Sequence, residues 1–296
     1  MRMIVDSNLQ LAYKECGRIT KREAANFYYA FLTLPKNRRR AIYAVYAFCR
    51  YCDDAVDDES SIDSKLESLD LLREKLGLSY AGQAVDPIFL CLGDVAKQFE
   101  IPQEYFEDVL LGVESDLVKN RYQDFEELKQ YCYKVASVVG LICIQIFGYR
   151  EDIAKTYAID LGLAMQLTNI LRDIQEDLLM DRIYLPKEET DRFNYSEEDL
   201  RSGLVNDQFK ELMIFQTNRA RKYFERGFLL SSYLSIRSRA CPIALGGMYR
   251  TILERIERSD FDIFHNRITL TTAEKIRIMC IALIMSLVPN WVRKLK

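Results

Sequence analysis

Apolar residues recur every three or four positions along most of this 296-residue chain, and few stretches alternate as a half-buried strand would. Gly (12) and Pro (6), which interrupt helices, are sparse. Proline stands at or near several starts of apolar runs, where its fixed φ favours helix initiation. The pattern predicts an all-α fold with helices over Arg38 to Asp58, Ile62 to Leu76, Pro87 to Phe99, Pro102 to Lys119, Phe125 to Phe147, Ile153 to Met180, Asp207 to Ser232, Ile243 to Ser259 and Ala273 to Val288.

The connections between these segments are mostly short. The exception is Lys187 to Asn206, a stretch rich in Glu, Asp and Arg that predicts a surface loop with a short helix beginning at Ser196. We find no internal sequence repeat and no boundary that would divide one core from another. The chain is therefore predicted to be a single domain over residues 1–296.

Composition excludes several classes of function. With 41 basic and 44 acidic residues the formal charge is −3, and no basic stripe suits nucleic acid. The eight Cys are scattered apart from Cys49-x-x-Cys52, with no second pair to complete a zinc site, so we interpret them as reduced core thiols in a cytoplasmic protein. A redox role for this pair is disfavoured because the flanks read as core. His265 is the only histidine, which excludes His-based triads and His-rich metal sites.

Membrane-directed segments are not evident. The N-terminal residues lack the apolar h-region of a signal peptide, and no segment approaches the ~20 apolar residues of a spanning helix. The longest apolar run, Ile278 to Val288, is interrupted by Ser286 and stopped by Pro289. We interpret it as a core-packing helix. The alternative is a helix that also touches a membrane surface, because aromatic and basic residues follow it at Trp291, Arg293, Lys294 and Lys296.

Two acidic motifs follow apolar segments. Residues 51–58 read YCDDAVDD and residues 166–177 read QLTNILRDIQED. A helix C-terminus disfavours negative charge, which makes the first motif unusual. On a helix, Asp53 and Asp57 lie one turn apart on one face, and so do Asp173 and Asp177, with Asn169 one turn earlier. The same spacing therefore occurs twice, on two predicted helices.

The carboxylates in each motif repel one another, by about 0.2–0.5 kcal/mol per pair on an exposed helix and by more when buried. Mg²⁺ can compensate, since proteins hold it with one or two carboxylates and leave other positions to water and substrate phosphate. Two facing acidic helices would then clamp a diphosphate through metal. The alternative, solvated helix ends without a role, is disfavoured by the recurrence of the spacing, the second time with Asn169 and Arg172 at fixed offsets.

Taken together, these motifs resemble the squalene/phytoene synthase family, the head-to-head branch of the isoprenoid synthases. The resemblance covers most of residues 26 to 270. Its segments, in order, are NFYYAFLTLPKNRRRAIYAVYAFCRYCDDAVDD, GVESDLVKNRYQDFEELKQYCYKVASVVG, LGLAMQLTNILRDIQEDLLMDRIYLP and GGMYRTILERIERSDFDIFHNRITL. Within the family, the NFYYAF and RIYLP contexts look most like bacterial enzymes that make presqualene diphosphate on the way to squalene.

The resemblance implies an all-α isoprenoid-synthase bundle around a central cavity, with two aspartate-rich helices facing each other across its mouth. The family binds Mg²⁺ there, bridging to the diphosphates of two prenyl substrates. The matching metal positions in this chain are Asp53, Asp54, Asp57, Asn169, Asp173 and Asp177. The resemblance leaves NADPH open, because members that use it bind it without a Rossmann domain.

The resemblance also implies how substrate is held. Positions that match diphosphate contacts are Arg50, Arg172, Tyr249 and Arg267, and those that match the tail cavity are Phe27, Phe31, Tyr46, Tyr131, Val135, Ala136, Val139, Gly140, Met165 and Gln166. Tyr131 or the released diphosphate would take the proton given up in cyclopropane formation. Many relatives have Ser-x-Ser-Phe where this chain has Ala24-Ala25-Asn26-Phe27, so a hydroxyl contact is lost and Asn26 would serve for the second.

The motifs bear on three classes of function. The favoured one is a Mg²⁺-dependent prenyltransferase that joins two farnesyl diphosphates to presqualene diphosphate. Phytoene synthase, dehydrosqualene synthase or a complete squalene synthase using NADPH are the alternatives within the class. A head-to-tail prenyl synthase or terpene cyclase fits the second motif less well, and a non-catalytic scaffold would be expected to lose the metal ligands. Expected partners are prenyl diphosphates, with peripheral membrane contact and handover to a following pathway enzyme left open.

Overall fold

The computed structural model describes residues 2–56, 61–265 and 267–288. These residues form no β-strand and only two isolated β-bridges, Arg121 with Ile183 and Tyr149 with Leu234. The helices are α1 (Arg2–Glu23), α2 (Ala25–Phe31), α3 (Lys36–Asp54), α4 (Ile62–Tyr80), α5 (Pro87–Phe99), α6 (Gln103–Val118), α7 (Phe125–Cys132), α8 (Val138–Phe147), α9 (Ile153–Arg172), α10 (Ile174–Leu179), α11 (Lys187–Arg192), α12 (Glu197–Arg201), α13 (Asp207–Gly227), α14 (Ala240–Arg258) and α15 (Thr272–Ser286). The predicted all-α fold is confirmed.

Local chemistry explains where several helices begin and end. Asp86 caps α5 by accepting a hydrogen bond from the Ile88 amide at 3.0 Å, Pro87 occupies the first turn, and Glu100 ends the helix in the left-handed region with φ 53°. Ser196 caps α12 in a capping box with Asp199, so the short helix predicted in the long polar loop is confirmed.

Some predicted bounds were wrong. Neither α1 nor α2 was predicted, and the polar loop also contains α11. In the described residues α3 ends at Asp54 and passes into a turn, short of the predicted end at Asp58. The segment predicted as one helix from Ile153 to Met180 is divided at Asp173, whose φ is −102°. The Asp177 amide still donates to the Asp173 carbonyl at 2.9 Å, so these two residues remain one turn apart.

Helix α9 lies at the centre of the bundle, packed against α8, α13 and α14. A π-helical turn, Tyr133–Ser137, joins α7 to α8 and also packs on α9. The backbones approach closely here: a Cβ on Gly162 of α9 would lie 2.8 Å from the Ala136 carbonyl oxygen, and one on Gly140 would lie 2.8 Å from the Ala158 carbonyl oxygen. Glycine is therefore needed on both sides of this contact.

The continuous helical run Phe125–Phe147 is 23 residues long, and by length and composition it could cross a membrane. The expectation that no segment approaches this length and apolarity was therefore wrong. Half of its apolar window is buried inside the protein. Because the run packs between α6 and α9 and lines the central cavity, we interpret it as a core helix.

Candidate active site

Two adjoining chambers occupy the middle of the bundle. The polar chamber has a volume of about 270 Å³, and its charged lining comes from Arg50, Asp53, Asp116, Arg172, Asp173, Asp177 and Arg182. The apolar chamber has a volume of about 430 Å³ and is lined mostly by aliphatic and aromatic side chains. Seven residues border both chambers and define what we call the junction: Arg50, Asp53, Val113, Asp116, Tyr131, Gln166 and Asn169.

The first acidic motif reaches the junction through the end of α3. Asp53 lines both chambers. Asp54 instead pairs with Arg50 at 2.5 Å and lines neither chamber. Asp57, the other predicted ligand of this motif, lies outside the described residues. The structure thus places Asp53 of the first motif and the preceding Arg50 at the chamber wall.

The second motif surrounds the division between α9 and α10. Arg172 donates from Nε to Asp173 Oδ1 at 2.7 Å and makes a second contact between Nη2 and Oδ2, which gives a bidentate ion pair. Both side chains are largely buried, with exposed fractions of 14% and 19%. Arg267 approaches from the rim, 3.7 Å from Asp173 and 3.2 Å from Glu176, but it lines neither chamber.

The pKa of the Asp177 carboxyl group is strongly raised. Burial, followed by the negative charge of Asp173, raises its pKa from 3.8 to about 7. The Arg182 guanidinium opposes this rise. Asp177 is therefore partly protonated at neutral pH, and a bound cation would favour its ionised form.

The oxygen donors of the second motif fit a hard cation. Asn169 Oδ1 is buried and has no hydrogen-bond partner among the described residues, although the Nδ2 of the same amide donates to Gln166 at 3.3 Å. Asn169, Asp173 and Asp177 all line the polar chamber. Within residues 2–56, 61–265 and 267–288, no three acidic, His or Cys side chains converge closely enough to hold a metal ion by themselves. The described donors thus suit an ion completed by phosphate and water oxygens.

The apolar chamber collects most of the residues predicted to line a tail cavity. Its wall includes Phe27, Phe31, Tyr46, Tyr131, Val135, Ala136, Val139, Gly140, Met165, Gln166 and Tyr249. The Phe27 ring forms one side, with centroids 6.0 Å from Phe31, 6.2 Å from Tyr46 and 5.9 Å from Tyr249. Asn26 was also predicted to contact substrate, but it lines neither chamber.

The chamber is also deep. Ile42 lies eleven residues before Asp53 on α3, which is about 16 Å along the helix axis, and both residues line it. Aromatic and aliphatic walls of this depth exclude water and offer π faces to a positive charge.

Three polar residues at the chambers were not singled out from sequence: Asp116, Arg182 and Tyr184. Asp116 follows an apolar helical run, the same signal that identified the first motif, but it stands without a second carboxylate one turn away. Arg182 and Tyr184 belong to the RIYLP segment, which in sequence indicates only the resemblance to the family. All three residues reach the polar chamber only because elements distant in sequence pack together, so sequence alone does not reveal their place in the site.

Comparisons with known proteins agree with this geometry. The family model described as squalene/phytoene synthase matches residues 20–274. The 15-cis-phytoene synthase of Synechococcus elongatus is 36% identical over 294 residues, covering 95% of this chain and 96% of the relative.

Solved structures extend the comparison to the fold. A dehydrosqualene synthase in complex with a ligand has a TM-score of 0.88 at 30% identity, over 95% of this chain and 98% of its own. Squalene synthase HpnC from Alicyclobacillus acidocaldarius has a TM-score of 0.81 at 28% identity, over 86% of this chain and 96% of its own. The chain belongs to the squalene/phytoene synthase family and is a prenyltransferase of the type that condenses two prenyl diphosphates head to head.

Proposed function

We propose that the protein joins two farnesyl diphosphates and releases presqualene diphosphate. The observation that carries this proposal is the junction, where a chamber with paired acidic and basic groups opens onto a deep apolar chamber. Such an arrangement suits a substrate with a diphosphate head and a long hydrocarbon tail. The solved relatives named squalene synthase and dehydrosqualene synthase support the C15 substrate.

Magnesium would be held by Asp53 and Asp57 on one side and by Asn169, Asp173 and Asp177 on the other. When bound with substrate, it supplies positive charge for the departing diphosphate. Arg50 and Arg172 contribute fixed positive charge to the same chamber. The aromatic wall formed by Phe27, Tyr46 and Tyr249 shelters the allylic cation from water.

A second candidate, phytoene synthase activity on two geranylgeranyl diphosphates, is favoured by a different observation. The curated relatives named phytoene synthase are 36% and 38% identical to this chain over 95% and 92% of its length. The two candidates share the junction and the coupling chemistry, and they differ in whether the apolar chamber accepts one more isoprene unit per tail.

The assay that separates these candidates uses purified protein with Mg²⁺ and without nicotinamide. We expect farnesyl diphosphate to be converted to presqualene diphosphate, which accumulates because this half-reaction needs no reductant. EDTA should stop the reaction, since the paired carboxylates would otherwise repel the diphosphates. When both prenyl diphosphates are supplied together, a preference for geranylgeranyl diphosphate would identify phytoene synthase. Rapid dehydrosqualene formation would reject the proposed product, and turnover in EDTA would contradict the metal-dependent mechanism.

We also propose that this protein, predicted to be cytoplasmic, contacts an anionic membrane surface through α15. Three apolar side chains at the end of this helix and at the residue that follows it are exposed by 45%, 68% and 68%: Ile281, Ile284 and Leu287. The basic residues that follow, Arg293, Lys294 and Lys296, lie outside the described residues together with Trp291. Their charges favour an anionic bilayer over a symmetric pairing of two copies, in which like charges would meet.

Ile284→Glu combined with Leu287→Glu should weaken sedimentation with phosphatidylglycerol vesicles, because it places two charges on the apolar face. The matched control is Ile62→Glu with Val85→Glu, which alters side chains exposed by 56% and 91% elsewhere on the surface. Wild-type binding should exceed binding to phosphatidylcholine vesicles and fall with salt. A dimer in solution that only the α15 variant abolishes would instead identify a second copy as the occupant.

A further inference from the structure

Asp116 connects the hydroxyl groups of two tyrosines. It lies in the last turn of α6, where Tyr131 Oη donates to Oδ2 at 3.1 Å and Tyr184 Oη donates to Oδ1 at 3.0 Å. The two hydroxyl oxygens are 3.3 Å apart, and the rings stack with centroids 5.1 Å apart at 22°. Both tyrosines are only 7% exposed, so packing fixes the hydroxyl groups.

The position of this network matters for the reaction. Asp116 and Tyr131 both belong to the junction, whereas Tyr184 lines the polar chamber. If diphosphate heads bind in the polar chamber and tails in the apolar one, the head carbons that react lie at the junction. The proton lost during ring closure leaves from one of these carbons. A proton acceptor is therefore needed where Tyr131 lies.

Tyr131 is unsuited to act alone as an ionised base. Burial, followed by the negative charge of Asp116, raises its pKa well above the usual value. Its hydroxyl therefore stays protonated at neutral pH, with its hydrogen directed to Asp116 and its lone pairs available to a neighbouring group. A neutral hydroxyl in this arrangement can receive one proton while it passes on another.

We propose that Tyr131 and Asp116 form a proton relay for cyclopropane formation, an inference that rests on the proposed head-to-head coupling. The C–O bond of one substrate breaks and diphosphate leaves with the electron pair, while the head carbon bonds to the double bond of the second substrate. A C–H bond at that head carbon then breaks and its electron pair closes the ring. The proton passes to Tyr131 Oη, and the original hydroxyl proton of Tyr131 passes to Asp116 Oδ2.

This relay assigns Asp116 as a positioning and proton-accepting residue that acts through Tyr131. Tyr184 holds the second carboxylate oxygen, which fixes the orientation of the first toward Tyr131. The alternative acceptor is the released diphosphate, which needs neither Asp116 nor its hydrogen bonds. The two possibilities predict different products when Asp116 cannot accept a proton.

The test is Asp116→Asn, which keeps the size of the side chain but removes its ability to accept the proton. We expect the rate of cyclopropane product to fall by about 10²–10⁴-fold, the range for general acid–base catalysis. Ionisation should continue, so inorganic diphosphate and the prenyl alcohol formed by water capture should exceed coupled product. KM should stay near the wild-type value. Asp116→Glu should recover part of the coupling, since it restores an ionisable group.

Tyr131→Phe removes the other member of the relay and should also lower the rate of cyclopropane product. Combining it with Asp116→Asn should lower that rate no further than either substitution alone, because both groups move the same proton. Asp108→Asn is the matched control: it makes the same change two turns earlier on α6, at a residue that lines neither chamber, and it should leave the product ratio unchanged. Melting temperatures separate misfolding from lost chemistry.

If the Asp116→Asn variant forms coupled product at a rate within about threefold of wild type, the relay is overturned and diphosphate is favoured as the proton acceptor. Loss of ionisation with a raised KM would also overturn it, since Asp116 would then contribute to diphosphate binding. If the wild-type protein itself fails to couple either prenyl diphosphate, the proposed function fails instead. The relay does not depend on tail length, so either substrate can be used.

Discussion

Asp53→Asn and Asp177→Asn should each lower turnover by about 10²–10³-fold, the range for removing one group that stabilises developing charge. The double variant should be little worse than either single variant. Asp53 reaches the polar chamber from α3 and Asp177 from α10, so two separate helices contribute to one chamber. Groups that act as a unit lose their joint function when either is removed. Steady-state rates at saturating Mg²⁺ and farnesyl diphosphate measure these losses.

Losses that multiply in the double variant would show that the two carboxylates act independently. Asp152→Asn is the control for the substitution itself, since this side chain is 85% exposed and pairs only with nearby Lys155 in the described structure. It should leave turnover unchanged.

The same Asp177→Asn protein also reports on folding. Because the pKa of Asp177 is raised to about 7 in the folded protein, the folded state binds more protons than the unfolded state between about pH 4 and 7. Without metal, wild-type stability should therefore fall as the pH rises through this range. Asp177→Asn should raise the melting temperature by a few degrees at pH 8 and flatten this pH dependence. A lowered melting temperature would mean that lost activity reflects misfolding.

Gly162→Ala should destabilise the protein by about 1–3 kcal/mol, the usual cost of overpacking a core. The added Cβ would lie 2.8 Å from both the Ala136 carbonyl oxygen and the Ser137 Cα, and these are backbone atoms that cannot rotate away. The π-helical turn would have to move, and with it the Val135 and Ala136 wall of the apolar chamber. Both the denaturation midpoint and turnover should fall.

Gly77→Ala is the matched control, since it lies within α4 and an added Cβ has no neighbour within 4 Å among the atoms that constrain it. Replacing glycine at such a helical position should stabilise by about 0.4–1 kcal/mol. Equal effects of the two substitutions would contradict the close approach of α9 to the π-helical turn.

Sequence alone predicted those parts of the molecule that depend on local signals. The all-α fold and the family are confirmed, and α5 begins at Pro87 and ends at Phe99, the bounds predicted from the apolar period and the proline at its start. The division at Asp173 was missed because the Asp177 amide keeps its i to i−4 hydrogen bond there, so the apolar period barely changes.

The remaining differences come from contacts between distant elements. The π-helical turn leaves no compositional mark, and it depends on glycine at position 162 in another helix. Asp116 reads as an isolated carboxylate until folding brings the hydroxyls of Tyr131 and Tyr184 to it. The metal and substrate roles of Asp53, Asp173 and Asp177 stay predictions, although these side chains share one chamber.

The two arginine–aspartate pairs at the polar chamber have a consequence for how substrate would be loaded. Without ligand, Arg50 is held by Asp54 and Arg172 by Asp173, so each positive charge already has its counter-ion. A diphosphate would then bind by exchange of partners: Arg172 would turn from Asp173 to phosphate, and the released Asp173 carboxylate, which lines the polar chamber, would be free to hold Mg²⁺. Arg50 would likewise turn to phosphate, whereas Asp54 lines neither chamber. Because Arg172 and Asp173 would each gain a new counter-ion as they separate, neither of these largely buried charges would be left uncompensated during loading.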